Sequence, residues 1–491
     1  MSLVSWRYLA LFLPLGWLAY RLLPRPARPW LLLGMSLWFY WLASGVLVAE
    51  LFFFALVAWA AGRQLSLCRS RPGRAVIFTG AALLLGWRLW RVKYAPYLVL
   101  RWNALGLPEL PYSQPAQALG LSFFSLAALG YLIEVWRGQR PLGLAAVLSG
   151  LGFFPAVTEG PIGRLHRLSP QLMAGAMPAG GQAALGAQRV LWGLFKKSVV
   201  ADRAAILADK VFGSYTDYSG GAVALAALLY TLQLYGEFSG VMDIALGSAE
   251  GFGITLEENF RQPFFARSIS DFWRRWHITL GAWLREYLFQ PLVLSPLGRR
   301  LSRRGRRVLG PRLGALLPVW LGLAAVWLGM GLWHGPQSKY LVYGGYYCLL
   351  QTLGGVWETL CPAARRLQQN PVWRGFVRLR TMAAVCVGML LFRAKSLHAA
   401  LFMLASLARP WEGSLLSLGL DAGDWRALAA GVLIMLGVDA LKEKGLHLRR
   451  WLARRPLPLR WGAVWCGLLA LLIFGAYGDG YDPANLVYAA F

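Results

Sequence analysis

Acidic side chains are scarce in this chain: 22 Asp and Glu stand against 50 Lys and Arg in 491 residues, a formal charge of +28. Charge of either sign is thin, at 15% of residues, where a soluble domain carries roughly 25%. Hydrophobic residues make up 57%, aromatics 14%, and mean hydropathy is +0.48. So little charge excludes a soluble monomer, which would expose too much apolar area to water, and so much apolar sequence excludes disorder. Cysteine is sparse too. Cys68, Cys348, Cys361, Cys386 and Cys466 are odd in number and share no CxxC or zinc-like spacing, so neither a disulfide framework nor a metal knuckle is encoded. A P-loop, a strand-borne GxGxxG, HExxH and GxSxG are all missing, which removes the common soluble-enzyme signatures. The basic residues sit in short clusters between apolar runs and form no continuous stripe, so they read as positive-inside topology and not as a nucleic-acid surface.

What is present is a succession of apolar runs. A helix needs roughly 20 such residues to cross the hydrocarbon core, and candidates lie at 8–20, 30–43, 46–61, 75–87, 118–136, 142–154, 188–210, 220–247, 313–333, 340–360, 381–407, 427–441 and 461–477. Several are too short to span alone, and Gly or Pro breaks mark some as re-entrant or packed inside protein. The expected fold is all-α: a polytopic integral membrane protein with about 10–13 transmembrane or re-entrant helices. Arg21, Pro24, Arg25 and Pro26 follow the first run where a cleavage site would need small residues, so it reads as a retained first membrane helix. Three segments, 62–74, 299–312 with seven arginines and 442–460 with seven Lys or Arg, are expected as cytoplasmic loops. The same arginines suit anionic lipid head groups equally well. No linker or internal repeat interrupts the chain, which reads as one polytopic domain over 1–491.

The informative residues are those that cost energy at membrane depth. His334 stands near the end of a long apolar run, VWLGMGLWHGPQSK, and is followed at once by Gly335 and Pro336, which should break the helix and open space beside the ring. A neutral imidazole there is either a general base or a buried structural residue. Within DFWRRWHITLGAWLREYLFQPL, residues 271–292, Trp273, Trp276, His277, Leu280, Trp283, Leu284 and Tyr287 follow helical spacing and predict one helix with an aromatic face carrying His277. Asp271 can reach Arg274 or Arg275 one turn on. Gln233, Glu237 and Asp243 interrupt an apolar run, either as a polar cavity lining or as structural ion pairs. Residues 153–165, FFPAVTEGPIGRL, cannot be regular helix and read as a re-entrant hairpin or a surface turn. His166, His398 and His447 sit in or near basic segments and read as solvated. With no third ligand at helical spacing from His334, and only Asp271 and Glu286 near His277, no metal centre is expected.

DFWRRWHITLGAWLREYLFQPL followed some fifty residues later by MGLWHG resembles the signature of the membrane-bound O-acyltransferase (MBOAT) family. The similarity is to the bacterial branch that acetylates exported polysaccharides such as alginate, with teichoic acid D-alanyl transfer as a more distant cousin. LGLSFFSLAALGYLIEVWRG, FFPAVTEGPIGR, LWGLFKKSVVADRAAILADKVF, YGEFSGVMDIALG, ENFRQPF and the C-terminal FGAYGDGYDPANLVYAAF agree in order, so the resemblance covers the chain from about Leu119 to Phe491. It departs at Val241 and Met242, where relatives carry Tyr-Ser, and at Val293 and Leu294, where they carry Gly-Gly. The resemblance implies a ring of helices around a central funnel, with N-terminal helices over 1–118, a core over 119–408 and C-terminal helices over 409–491. It also implies that His334 and His277 are catalytic residues at the bottom of the funnel.

The resemblance implies a multi-pass protein of the cell membrane that moves an acyl group, first of all acetyl, from a cytoplasmic thioester toward an extracytoplasmic polysaccharide. The resemblance implies an SGNH-type partner that passes the group on; acyl-CoA is the expected donor substrate, and no resident cofactor is expected. His334 would act as base and His277 would orient or assist. Trp333, Arg274, Arg275 and Lys339 are candidate donors to the developing oxyanion, and Trp276, Glu237 and Asp243 are supporting residues. D-alanyl transfer to teichoic acid is the nearest rival. A proton-coupled transporter or flippase, with Glu237 and Asp243 as relays, and a secretion scaffold are more distant ones.

Overall fold

The computed structural model of the chain describes residues 1–111, 115–361, 370–411 and 413–477. Regular structure among them is helical throughout, and an isolated antiparallel bridge, Phe260 to Trp276, supplies their β pairing. Six helical segments are long and apolar enough to cross a membrane: Arg25–Leu67, Arg71–Lys93, Gly220–Glu250, Gly310–His334, Pro371–Arg393 and Leu457–Phe474. Leu121–Trp136 and Leu397–Ser406 are shorter apolar helices. The chain is an all-α, multi-pass membrane protein.

The described residues group into two compact units, 1–194 with 241–258, and 195–240 with 259–477. In the first, the 43-residue apolar stretch is broken where Gly45 takes φ +58, separating Arg28–Ser44 from Val48–Leu67. The helix Arg71–Lys93 starts on Ser70, whose side chain accepts from the Gly73 N–H, with Pro72 in its first turn. Arg88 Nε lies 2.8 Å from each carboxylate oxygen of Glu50, so a charge in one span is answered from the next. Tyr8 donates to Ser248 Oγ at 2.8 Å and Trp17 Nε1 to the Ser248 carbonyl at 3.1 Å, which anchors the first apolar run.

Residues 153–164 form no helix, as their Pro and Gly content requires, but they are not a surface turn. Phe153, Phe154, Val157 and Glu159 are each no more than 2% exposed. The Phe154 N–H donates to Ser36 Oγ at 3.2 Å, one of the partners that irregular backbone needs when it is buried.

In the second unit the basic segment expected as a loop over 299–312 is mostly helix, Pro296–Val308. Ser295 caps it by accepting from the Gly298 N–H, Pro296 occupies its first position, and arginine is a good helix former. Periodicity did not expose this because glycines 298 and 305, and not bulky apolar residues, form its buried side. The 31-residue helix Gly220–Glu250 contributes its residues up to Gly240 here and those from Val241 to the first unit; it is the most deeply buried of the six spans.

Candidate functional site

His334 is the last residue of the helix Leu317–His334. The helix stops there because Gly335 takes φ +154 and ψ 177, a conformation open essentially to glycine alone, and helix resumes only at Ser338. The break expected at Gly335-Pro336 is therefore present. The imidazole, 5% exposed, is walled by aromatic rings: Trp333 and Phe392 each at 4.9 Å between centroids, Tyr340 at 5.9 Å and Tyr343 at 6.1 Å. Lys339 fixes this wall. Its ammonium donates to the carbonyls of Phe392 at 3.1 Å and Ala394 at 2.7 Å, at the C-terminal end of the helix Pro371–Arg393. Carbonyls in the last turn of a helix have no partner within it, and a lysine there also complements the helix dipole.

His277 departs from its expected place. The single helix predicted over residues 271–292 is broken: Ile269–Arg275 ends, Trp276 is extended, His277 takes φ +46 and ψ 52, and a second helix runs over Ile278–Leu284. Its continuation is the π-helical turn Arg285–Phe289. Trp276 leaves the predicted aromatic face to bridge Phe260, whose ring lies 5.0 Å away, and to stack on Phe272 at 5.4 Å.

Asn259 holds the break together. Its backbone carbonyl accepts from the Ile278 N–H at 3.0 Å. Its side-chain Oδ1 lies 3.0 Å from the Thr279 N–H, 2.9 Å from Thr279 Oγ1 and 3.3 Å from His277 Nδ1. The imidazole is 3% exposed, with the Phe238 ring edge-on at 4.9 Å and Trp333 at 5.9 Å. Burial pushes its pKa down to about 3, so the ring is neutral at ordinary pH.

The two imidazoles thus share one neighbour, the Trp333 indole. Other residues singled out from the sequence take different positions. Arg274 is exposed. Arg275 pairs with Asp271 at 3.0 Å, as its spacing allowed, and with Glu443 at 2.7 Å. Glu237 faces Lys197 at 3.8 Å, and Lys197 also pairs with Asp202. Asp243 is bound by Arg189 at 2.7 Å, which also holds Glu258 at 2.6 Å. Glu237 and Asp243 therefore both take part in ion pairs, one of the readings left open for them. His398 and His447 are exposed, as expected. His166 is not a bystander: Nδ1 lies 2.6 Å from Glu134 and the ring stacks on Tyr131 at 5.3 Å. Among the described residues no group of three or more His, Cys, Asp or Glu could hold a metal ion. Asn259, Thr279, Phe238 and Phe392 were not singled out from the sequence; the available signal was that Asn259, Phe238 and Thr279 lie within the ENFRQPF, YGEFSGVMDIALG and DFWRRWHITLGAWLREYLFQPL segments.

The described residues thus make up a helical, multi-pass membrane protein with two buried histidines around one tryptophan. Residues 176–305 match the family described as MBOAT, membrane-bound O-acyltransferase family. The chain is 31% identical over 384 residues to a probable alginate O-acetylase of Pseudomonas putida, covering 76% of this chain and 69% of the relative. A peptidoglycan O-acetyltransferase of Helicobacter pylori is 28% identical, covering 84% and 81%. A teichoic acid D-alanyltransferase of Bacillus subtilis is 25% identical, covering 67% and 81%. The chain spans 64% of the length of the corresponding Pseudomonas syringae alginate relative. This chain belongs to the membrane-bound O-acyltransferase family.

Proposed function

We propose that this protein is a membrane O-acyltransferase of the cell membrane that moves an acyl group, first of all acetyl, from a cytoplasmic thioester to an extracytoplasmic polysaccharide. Acyl-CoA is the donor in this reading, and an SGNH-type protein passes the group to the polymer. The observation that carries the proposal is the pair of buried imidazoles of His277 and His334 on one indole, in a chain of this family. The names of the Pseudomonas and Helicobacter relatives add support, since both refer to O-acetylation of a polymer.

In the proposed reaction His334 accepts the proton of the attacking hydroxyl as its oxygen bonds to the thioester carbonyl carbon. The tetrahedral intermediate then collapses, the carbon–sulfur bond breaks, and the proton leaves with the thiolate as free thiol. The aromatic wall excludes bulk water, which limits hydrolysis of the thioester. In this reading the Trp333 indole N–H supports the oxyanion, whereas Lys339 and Arg275 are already engaged with carbonyls and carboxylates. D-alanyl transfer to teichoic acid is a second reading, favoured by the Bacillus relative.

The deciding experiment compares O-acetyl content of the host's exported polysaccharide, by NMR of purified polymer, between wild type and His334→Ala at matched membrane abundance. Loss of ester with export intact is the expected result. Unchanged ester removes His334 from the chemistry, and loss of export itself supports a transporter or scaffold.

A further inference from the structure

We infer that Asn259 is a positioning residue for His277, holding its ring as the Nδ1–H tautomer so that Nε2 is the basic nitrogen. The inference rests on the reading above, in which His277 takes part in acyl transfer, and assigns it a side of the reaction.

The hydrogen bonds leave little freedom. A backbone N–H can only donate, so the Asn259 atom 3.0 Å from the Thr279 nitrogen is the amide oxygen and not the amide nitrogen. Thr279 Oγ1, at 2.9 Å from the same oxygen, donates to it as well. An amide oxygen can only accept, so His277 Nδ1, at 3.3 Å, carries its hydrogen toward it. A neutral imidazole with a proton on Nδ1 has its lone pair on Nε2.

The backbone explains why this contact holds. Asn259 is fixed by its own carbonyl, which takes the Ile278 N–H at 3.0 Å, and the next residue, Phe260, bridges Trp276. His277 lies between those two anchored positions in a left-handed conformation that a non-glycine residue adopts only when its surroundings hold it there. One residue therefore serves both the following helix and the ring beside it: its backbone carbonyl takes the Ile278 N–H, and its side-chain oxygen takes the Thr279 N–H and hydroxyl and His277 Nδ1.

The chemical consequence is directional. An Nδ1–H ring accepts a hydrogen bond at Nε2 and cannot stabilise an oxyanion there. His277 belongs with the attacking hydroxyl or the group that carries its proton, and oxyanion support comes from another donor.

The test is solid-state 15N NMR of the full chain in lipid bilayers, labelled at its five histidines, with His277→Ala used to assign the His277 signals. Wild type should show a neutral ring protonated at Nδ1. Asn259→Asp keeps an acceptor and should retain that tautomer. Asn259→Leu removes it and should shift the ring toward Nε2–H, with a fall in kcat of about tenfold or more and little change in KM. A wild-type ring protonated at Nε2, or an Asn259→Leu ring unchanged in tautomer, overturns the inference. If Asn259→Leu does not fold, the wild-type and Asn259→Asp spectra still decide. The tautomer readouts are independent of activity, so either failure is distinct from failure of the acyltransferase reading, which the His334→Ala polymer assay detects.

Discussion

Replacing Gly335 with alanine should damage both the stability of the second unit and its proposed chemistry, and the structure sets the size of the effect. At φ +154 and ψ 177 the backbone lies in a region essentially closed to residues with a Cβ, and holding one there costs about 1–3 kcal/mol. The new Cβ would also stand 3.2 Å from Tyr340 Cε2. Tyr340 has little room to retreat, being 7% exposed with the Phe392 ring 5.5 Å away. Strain and crowding both fall on the rings that enclose His334, so about 1–3 kcal/mol should appear as a 5- to 150-fold rise in the population of locally opened protein together with slower acyl transfer. The control is Gly345→Ala in the helix Ser338–Leu360, where a Cβ meets nothing within 4 Å. There the same substitution should stabilise by about 1 kcal/mol through helix propensity alone. Denaturation of both variants in one detergent, with transfer rates measured alongside, makes the comparison. A Gly335→Ala protein as stable and as fast as wild type would refute the reasoning, as would two variants that move together.

Two further outcomes follow from charges in the first unit. Arg189→Met leaves Asp243, 8% exposed, without the guanidinium 2.7 Å from it; loss of about 3–5 kcal/mol is expected, and Arg189→Met with Asp243→Leu should recover part of it, as denaturation midpoints would show. His166 has its pKa raised, first by the hydrogen bond to Glu134 and then, against burial, by the Arg140 carbonyl and the Glu134 charge. A raised histidine binds its proton more tightly folded than unfolded, so its contribution is complete below the unfolded value near 6.5 and is lost as pH rises through the higher folded value. Midpoints measured from pH 5 to 9 should fall across that window in wild type and fall less in His166→Gln; equal slopes would rule out this pair as the source.

The spans and His334 were legible because they depend on quantities a sequence carries directly: length, charge and the position of a glycine. A long apolar run with His334 at its end and Gly335-Pro336 beyond fixes where the helix stops, whichever role the ring has. Glu237 and Asp243 were legible as costly residues, but their partners Lys197 and Arg189 lie 40 and 54 positions away, and helical periodicity carries no pairing information at that range. The fold of residues 271–284 was misread for a related reason. Helical spacing registers which side chains recur, not the sign of φ at one residue, and the pattern through Trp276 and His277 fits a continuous helix as well as the broken one. What breaks it is tertiary: Asn259 and Phe260 compete for the backbone on either side of His277. His166 was misjudged because its arginine neighbours suggest solvent, whereas Glu134 and Tyr131 claim the ring from another helix.

The lysine that braces the His334 wall also bears on the order in which the protein can be made. Lys339 reaches carbonyls as far as 55 residues further along the chain. At roughly 5–20 residues per second of synthesis, a ribosome needs about 3–11 s after adding this lysine before those carbonyls exist. During that interval a buried ammonium would have no acceptors there, so the helix beginning at Ser338 must wait near water or be held by an insertion factor. The pocket around His334 then closes only when the helix Pro371–Arg393 arrives. Nascent chains halted before residue 394 should accordingly carry every histidine proposed for the chemistry and yet leave Lys339 open to amine-reactive label, a protection that appears late and all at once as translation proceeds.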